Sequence, residues 1–270
     1  MMYHYFPERK NYDLAREEIE KQLRELYTKS EICSAFLYGS YVIDEHVPGF
    51  SDLDVFVALP REKIEPEVYT ALNLLSNTVT KEFDINCNYQ VRGGRNLVDP
   101  FIAWLLGSYN IPIVGEEPKR VLNYEAVSQQ YLENGEKFAR KIVPKYISEV
   151  QKVLLQMGPE RASFKNVPLP PSLIKKEVDY RIEMAALIID RVLDISMYGN
   201  LLFDDFAYCR KEFVDKSITH FKGVISESNI ISDCVHLRAE WGKNRLADLD
   251  ELISGAPRYI EEIAAWMRTR

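Results

Sequence analysis

The sequence has no apolar run long enough to cross a membrane, although 46% of its residues are hydrophobic. A membrane-spanning helix needs about 20 consecutive apolar residues, and no stretch approaches that length. The first ten residues, MMYHYFPERK, also lack the apolar core of a secretory signal. These absences exclude an integral membrane protein and predict a cytoplasmic protein with no membrane partner.

Cysteine is scarce, and its spacing fits no metal-binding motif. The chain has 4 cysteines among 270 residues, scattered along its length: Cys33, Cys87, Cys209 and Cys234. A cytoplasmic protein with this pattern is expected to keep its thiols reduced. The sequence therefore predicts neither a disulfide framework nor a zinc site.

Positive charge is also in deficit. The chain has 34 Lys and Arg against 41 Asp and Glu, giving a net charge of −7 and a pI of about 5.3. A chain with this net charge is not expected to have a groove that binds a polyanion. A nucleic acid is therefore disfavoured as a partner, although a local basic patch stays open.

The most informative stretch is FLYGSYVIDEHVPGFSDLDVFVAL, residues 36–59. An apolar run over 32–38 ends at Gly39-Ser40, and a second apolar run, 55–59, follows the sequence SDLD. This pattern predicts a strand, a Gly-Ser turn into a short helix, a loop and a second strand. Asp52 and Asp54 then lie on one face of the second strand, with Leu53 turned into the core.

Two carboxylates this close repel each other unless a cation lies between them. Hard oxygen ligands suit Mg²⁺, which completes its shell with phosphate and water. Gly39 lets the backbone approach a ligand, and the amides at a helix start after Ser40 favour a phosphate. The alternative is a polar turn followed by an acidic strand start.

Gly39-Ser40, a loop and Asp52-x-Asp54 opening a strand resemble the nucleotidyltransferase superfamily of DNA polymerase β and the antibiotic nucleotidyltransferases. The order and length of the chain are most similar to the streptomycin/spectinomycin-type adenylyltransferases. The resemblance implies transfer of a nucleoside monophosphate, AMP from ATP, to a hydroxyl of a small molecule such as an aminoglycoside. It also implies two Mg²⁺ ions at the site.

Residues 82–89, EFDINCNY, alternate as a strand would, with Asp84 on the polar face. In the superfamily a third acid on the neighbouring strand completes the metal site, and Asp84 matches that place. On the resemblance, Asp84 joins Asp52 and Asp54 as a metal ligand and takes the proton of the acceptor. The alternative is an ordinary solvent-facing strand residue.

Two positions depart from the family pattern. Relatives have a glycine three or four residues after the Gly-Ser pair, where this chain has Ile43 and Asp44. Adenylyltransferases of the streptomycin type also follow a later glycine with a lysine that contacts the triphosphate. Here Gly199 is followed by Asn200.

After Lys119 the strand alternation stops and helical periods dominate. The sequence therefore predicts an α+β protein that changes from strands and helices to helices alone. The resemblance implies a nucleotidyltransferase domain over 1–118 (a small mixed sheet with flanking helices) and an all-helical acceptor-binding domain over 119–270. Helices are predicted over 124–155 with a break at Pro144, 174–197, 203–217, 233–252 and from Pro257. The resemblance gives Arg191 a contact with the nucleotide phosphates, the alternative being a surface residue.

Two other function classes stay open. One is an antitoxin-like or other non-catalytic nucleotide-binding protein, and the other is a transferase that acts on a protein or RNA acceptor. A ribonuclease of the type that partners small nucleotidyltransferase antitoxins is not supported, because none of the 4 histidines follows an arginine at the required spacing.

Overall fold

The structure is a computed structural model that describes residues 9–61, 65–93, 106, 108–116, 124–161, 171–203, 210–226, 229–244 and 246–269. The chain divides into two compact units, residues 1–133 and 134–270. The predicted domain boundary, 118/119, falls within 117–123, outside the described residues, and it stays a prediction. Among the described helices, none is long and apolar enough to cross a membrane.

The first unit is built on a sheet of four strands in the order β3-β2-β1-β4. Strand β1 pairs antiparallel with β2 and β4, and β2 pairs parallel with β3. The elements follow the chain as α1 Arg9–Thr28, β1 Ser34–Tyr38, β2 Leu53–Leu59, α2 Pro66–Phe83, β3 Cys87–Gly93 and β4 Ile111–Gly115. The sheet is therefore mixed, as predicted.

One face of this sheet forms the core with α1 and α2. Four alternate residues of β2 lie in it, each at most 4% exposed: Leu53, Val55, Val57 and Leu59. The predicted apolar stripe of α2 is also buried there: Val68, Leu72, Leu75 and Val79. The opposite face carries Asp54, followed by the fully buried Phe56. The side-chain period of two thus separates core from candidate site.

The predicted strand over 82–89 is wrong in its first half. Helix α2 continues to Phe83, and Asp84 caps it in the left-handed conformation with φ 58° and ψ 37°. The Asp84 amide donates to the carbonyl of Thr80, and aspartate is one of the few residues that tolerate this conformation. The predicted burial of alternate side chains holds at Ile85, which is 1% exposed and belongs to the core.

The predicted short helix after Gly39-Ser40 is replaced by consecutive turns. The amide of Val42 donates to the Gly39 carbonyl at 3.1 Å, and that of Glu45 donates to the Ser40 carbonyl at 2.9 Å. Asp44 has φ 58°. Asp44, one of the two positions where the family pattern predicts a glycine, thus adopts the left-handed conformation that glycine reaches most easily.

The second unit is helical. It contains most of α3 (Tyr124–Arg161), then α4 (Pro171–Gly199), a 3-10 turn (Asn200–Phe203), α5 (Arg210–Phe221), α6 (Asn229–Ala239), a second 3-10 turn (Trp241–Lys243) and α7 (Leu246–Thr269). Helix α4 packs against α5, α6 and α7. The predicted helical bundle is confirmed.

Three helix boundaries were predicted wrongly. Helix α3 passes through Pro144 without a break, the second 3-10 turn divides the predicted helix 233–252, and Pro257 lies inside α7. Proline removes one helical hydrogen bond, but Ala256 and Tyr259 beside Pro257 are fully buried. Tertiary packing of the apolar face therefore outweighs the local preference of proline.

Candidate functional site

The site begins where β1 ends, at a close approach between Gly39 and Asp54. Tyr38, the last residue of β1, lies directly opposite Asp54 on β2. Gly39 has φ 79°, and a Cβ at this position would lie 2.2 Å from Asp54 Oδ2. Only glycine combines this backbone conformation with room for the carboxylate. The backbone turn therefore forms a cradle around the Asp54 side chain.

Asp52 and Asp54 flank Leu53 at the start of β2. Leu53 is fully buried in the core, whereas both aspartates are half-buried. Burial is the largest cause that raises the pKa of the neighbouring Cys87 thiol to about 12; a hydrogen bond with Tyr89 opposes it, and the charges of Asp54 and Asp52 add to it. The two carboxylates thus act on the same small region at one end of β2, and the alternation predicted for residues 52–54 is confirmed.

The neighbour of Asp54 on β3 is Asn88. The parallel register places the two residues opposite each other, and Asn88 Nδ2 donates to Asp54 Oδ1 at 3.2 Å. Sequence reasoning missed Asn88. Its place on the polar face of the predicted strand 82–89 was a signal, but the register between β2 and β3 could not be obtained from the sequence.

Asp84 lies four residues before Asn88 and ahead of the strand, and its side chain is exposed. Within the described part of the chain, no three His, Cys, Asp or Glu side chains gather in a way that could hold a metal ion. Asp52 and Asp54 therefore act on the same neighbour, Cys87, whereas Asp84 forms no metal-binding group with them among the described residues. The predicted role of Asp84 in metal binding and proton transfer stays a prediction.

The loop that joins the Gly-Ser turn to the aspartates is fastened to α1. The buried hydroxyl of Tyr12 donates to the Ser51 carbonyl at 2.7 Å, and the Val47 amide donates to Ser51 Oγ at 2.9 Å. The His46 ring packs on Tyr12 with ring centroids 4.9 Å apart. These contacts fix the backbone immediately before Asp52.

Arg191 lies in the second unit and belongs to a charged cluster there. Its Nε is 2.6 Å from Glu149 Oε2, one NH donates to Asp194 at 2.5 Å, and the guanidinium lies 4.8 Å from the centroid of the Tyr146 ring. Burial lowers the pKa of Arg191, but Asp194 and Glu149 outweigh burial and raise it. The predicted contact of Arg191 with a nucleotide stays a prediction.

Asn200, which takes the place of the lysine found in relatives, is fully buried. Its Nδ2 donates to the Phe213 carbonyl at 3.2 Å, and its Oδ1 accepts from Ser217 at 3.3 Å. These bonds tie the end of α4 to α5. The residue has a structural role inside the bundle.

Residues 16–98, which include the cradle and both aspartates, match the family model described as "Nucleotidyltransferase domain". The chain contains a nucleotidyltransferase domain. The match ends before β4, so the second unit lies outside it. No curated protein matches the chain in sequence.

The chain also aligns with solved structures, in one case over most of its length. Spectinomycin adenyltransferase AAD(9) from Enterococcus faecialis, solved with ATP and spectinomycin, is 10% identical, with 89% of this chain and 98% of that chain covered and a TM-score of 0.34. A toxin–antitoxin complex with AMP-PNP is 15% identical over 42% and 86% of the two chains, with a TM-score of 0.30.

A tri-AMPylated Shewanella oneidensis HEPN toxin in complex with MNT antitoxin gives a third likeness, at 13% identity. It covers 44% of this chain and 92% of that chain, with a TM-score of 0.30.

Proposed function

We propose that the protein is a Mg²⁺-dependent nucleotidyltransferase that moves AMP from ATP to a hydroxyl of a small molecule such as an aminoglycoside. The observation that supports this most is the cradle of Gly39 around Asp54, with Asp52 two residues away in a nucleotidyltransferase domain. A glycine held in this conformation against a carboxylate is costly to replace, which suggests a site rather than a plain turn.

The donor set of the site fits a hard divalent cation. Asp52 and Asp54 supply carboxylate oxygens from a half-buried strand end, and the described structure shows no thiolate or imidazole set to favour a softer metal. These two residues would hold Mg²⁺. When bound, the ion would offset negative charge on the triphosphate.

The residues of the chain mainly bind and position the reactants. The acceptor oxygen forms a bond to the α-phosphorus, the bond from that phosphorus to the bridging oxygen breaks, and pyrophosphate leaves with the released electron pair. Gly39 and Ser40 would lie against the phosphates. The acceptor proton passes to a base, for which Asp84 is the predicted residue.

The acidic composition supports a small acceptor over a nucleic acid. A net charge of −7 disfavours general binding of a polyanion and favours a cationic molecule such as an aminocyclitol. The second unit is the proposed place for acceptor recognition. A protein or RNA acceptor is the alternative that the experiment below separates.

A second candidate function is nucleotide binding without transfer. The position of Asp84 favours it, because Asp84 caps α2 and the described residues place no third acid with Asp52 and Asp54 as the predicted ligand and base. Such a protein binds ATP and Mg²⁺ but releases no pyrophosphate with any acceptor.

The deciding experiment measures pyrophosphate release from ATP and Mg²⁺ over a panel of aminoglycosides, in parallel with α-labelled ATP and cell extract. Release with a small acceptor that is lost in Asp52→Ala supports the proposal. Label on protein or RNA supports the macromolecular acceptor. ATP binding with no release across the panel supports the non-catalytic function, and release that survives Asp52→Ala rules out this site.

A further inference from the structure

Helix α1 holds both ends of the loop 40–51, which joins the glycine-serine turn to the pair of aspartates. At the end of the loop, the buried Tyr12 hydroxyl donates to the Ser51 carbonyl at 2.7 Å. At its start, the Tyr41 hydroxyl donates to Asp13 Oδ1, also at 2.7 Å. Tyr12 and Asp13 are neighbours in α1, so two adjacent residues of one helix contact the two ends of the loop.

The side chains at the two ends of the loop also pack on each other. The ring of Tyr41 stacks on that of Tyr12, with centroids 6.4 Å apart and an interplanar angle of 14°. The His46 ring packs on both, with its centroid 5.2 Å from Tyr41 and 4.9 Å from Tyr12. Tyr12 and Ile19 are fully buried and anchor α1 in the core. The loop is therefore attached to the core before any ligand binds.

The Tyr41 hydroxyl keeps its proton at neutral pH and so remains a donor. Burial raises the pKa of Tyr41 above the ordinary value of a tyrosine, the bond to Asp13 raises it further, and Arg16 opposes both. Arg16 lies one turn beyond Asp13 on α1, where its Nε is 2.6 Å from Glu20. A hydroxyl that donates to a carboxylate forms a charge-assisted bond, which is stronger than a bond between neutral groups.

We propose that Tyr41 is a positioning residue for the Gly39-Ser40 turn, and that its bond to Asp13 strengthens the binding of the triphosphate. The inference rests on the proposed function, because it concerns the turn that would lie against the phosphates. The bond acts through the backbone, since Tyr41 directly follows Ser40 and the Glu45 amide donates to the Ser40 carbonyl at 2.9 Å. Neither the Tyr41 nor the Asp13 side chain needs to contact the nucleotide.

The two ends of the loop should affect different steps. A turn that is ordered before the nucleotide binds loses less conformational entropy on binding. Loosening it at Tyr41 should weaken the ground state and the transition state equally, which raises KM for ATP and leaves kcat unchanged. Tyr12 instead acts next to Asp52, so its loss should act on the bound cation and on kcat.

Isothermal titration calorimetry of the full-length chain with a non-hydrolysable ATP analogue and Mg²⁺ tests the inference. We expect Tyr41→Phe and Asp13→Ala each to weaken binding about three- to tenfold, as for the loss of one hydrogen bond. The double variant should be no weaker than either single variant, because both changes remove the same bond. Asp13→Asn keeps an acceptor oxygen and should stay within about twofold of the wild type.

The matched control is Tyr27→Phe, which makes the same chemical change on the same helix. Tyr27 is 44% exposed and lies about 20 Å along α1 from Asp13, so its variant should bind the analogue as the wild type does. In pyrophosphate release, Tyr41→Phe should raise KM for ATP by the factor seen in binding, with kcat within about twofold. A purely structural role would lower the free energy of unfolding and leave KM unchanged.

Three results would overturn the inference while leaving the proposed function intact. The first is a Tyr41→Phe variant that binds the analogue as tightly as the wild type, while Asp52→Asn binds it more weakly. The second is an equal loss in Tyr27→Phe, and the third is a double variant in which the two single losses multiply. A wild type that does not bind the analogue, or that binds it equally after Asp52→Asn, overturns the proposed function and the inference together.

Discussion

In the first unit Asp54 accepts a hydrogen bond from a neutral amide, whereas in the second unit Arg191 is held by two carboxylates and lies over an aromatic ring. Both clusters join elements that are distant in sequence. The arginine cluster matches opposite charges within the bundle, as structural ion clusters do. Asp54 instead lies against a glycine in a left-handed turn.

The aspartate pair and the arginine cluster use charge in different ways. A cluster that balances itself contributes to stability and needs no ligand, whereas two neighbouring carboxylates held in place gain from a cation. We therefore expect mutations of Asp52, Asp54 and Gly39 to act mainly on activity and mutations around Arg191 to act mainly on stability. The four predictions below test this division, from the largest effect to the smallest.

The largest effect is expected for Asp52→Asn and Asp54→Asn. Loss of either carboxylate should lower pyrophosphate release by about a thousandfold or more, because several kcal/mol of stabilisation of the transferring phosphate is lost. Asp84→Asn is the comparison, since Asp84 caps α2 and forms no metal-binding group with the other two among the described residues. If Asp84→Asn lowers pyrophosphate release as much as Asp52→Asn does, Asp84 is supported as the third acid of the site.

Gly39→Ala should lower activity by about a hundredfold, because the new Cβ would meet Asp54 Oδ2 at 2.2 Å and displace it. The strained backbone should also cost about 1–2 kcal/mol in the free energy of unfolding. The control is Gly223→Ala, where φ is 80° and nothing lies within 4 Å. Equal loss of activity in both variants would show that backbone strain, rather than displacement of Asp54, is responsible.

Arg191→Met should destabilise the second unit by about 2 kcal/mol at pH 7, between the values typical of exposed and buried ion pairs. Burial raises the pKa of Asp194, and Arg191 opposes this shift, so the variant should raise that pKa further. The contribution of Asp194 to the stability of the variant is then fully present below the ordinary pKa of an aspartate and is lost as pH rises through the raised value. The deficit relative to the wild type should shrink when unfolding is measured at pH 4.

Lys145→Met is the control for the arginine cluster. Its Nζ is 3.8 Å from Glu149, but its side chain is 65% exposed, so the expected change is under about 0.5 kcal/mol. Kinetics of folded Arg191→Met test the predicted nucleotide contact. A raised KM for ATP would support that contact, whereas an unchanged KM would leave Arg191 with a structural role alone.

The smallest effect is expected for Tyr12→Phe. The change leaves the Ser51 carbonyl without its buried hydroxyl donor and should cost about 1–2 kcal/mol in unfolding free energy. Activity should fall only a few-fold, since Ser51 adjoins Asp52. Tyr41→Phe removes an exposed bond to Asp13 and should change stability less, as measured by denaturant unfolding.

The two regions also differ in how far they could be predicted. The strand that carries Asp52 and Asp54 was predicted because its alternation records which side chains are buried, and Leu53 is buried as expected. Helix ends were predicted less well. The alternating residues around Asp84 predict a strand, but the preceding helix extends to Phe83, and Asp84 is its C-cap.

The sequence by itself determined the strand that follows the aspartates, the helical second half, the Gly-Ser turn and the pair of aspartates, because these follow from periodicity and residue type over a few neighbouring positions. The mixed sheet was implied by the family resemblance. Only the tertiary structure decided that Asn88 supports Asp54 across 34 residues of chain, that Asp84 caps α2, and that Arg191 faces Glu149. Strand register and helix packing are set by the simultaneous burial of distant segments, and no local stretch contains that information.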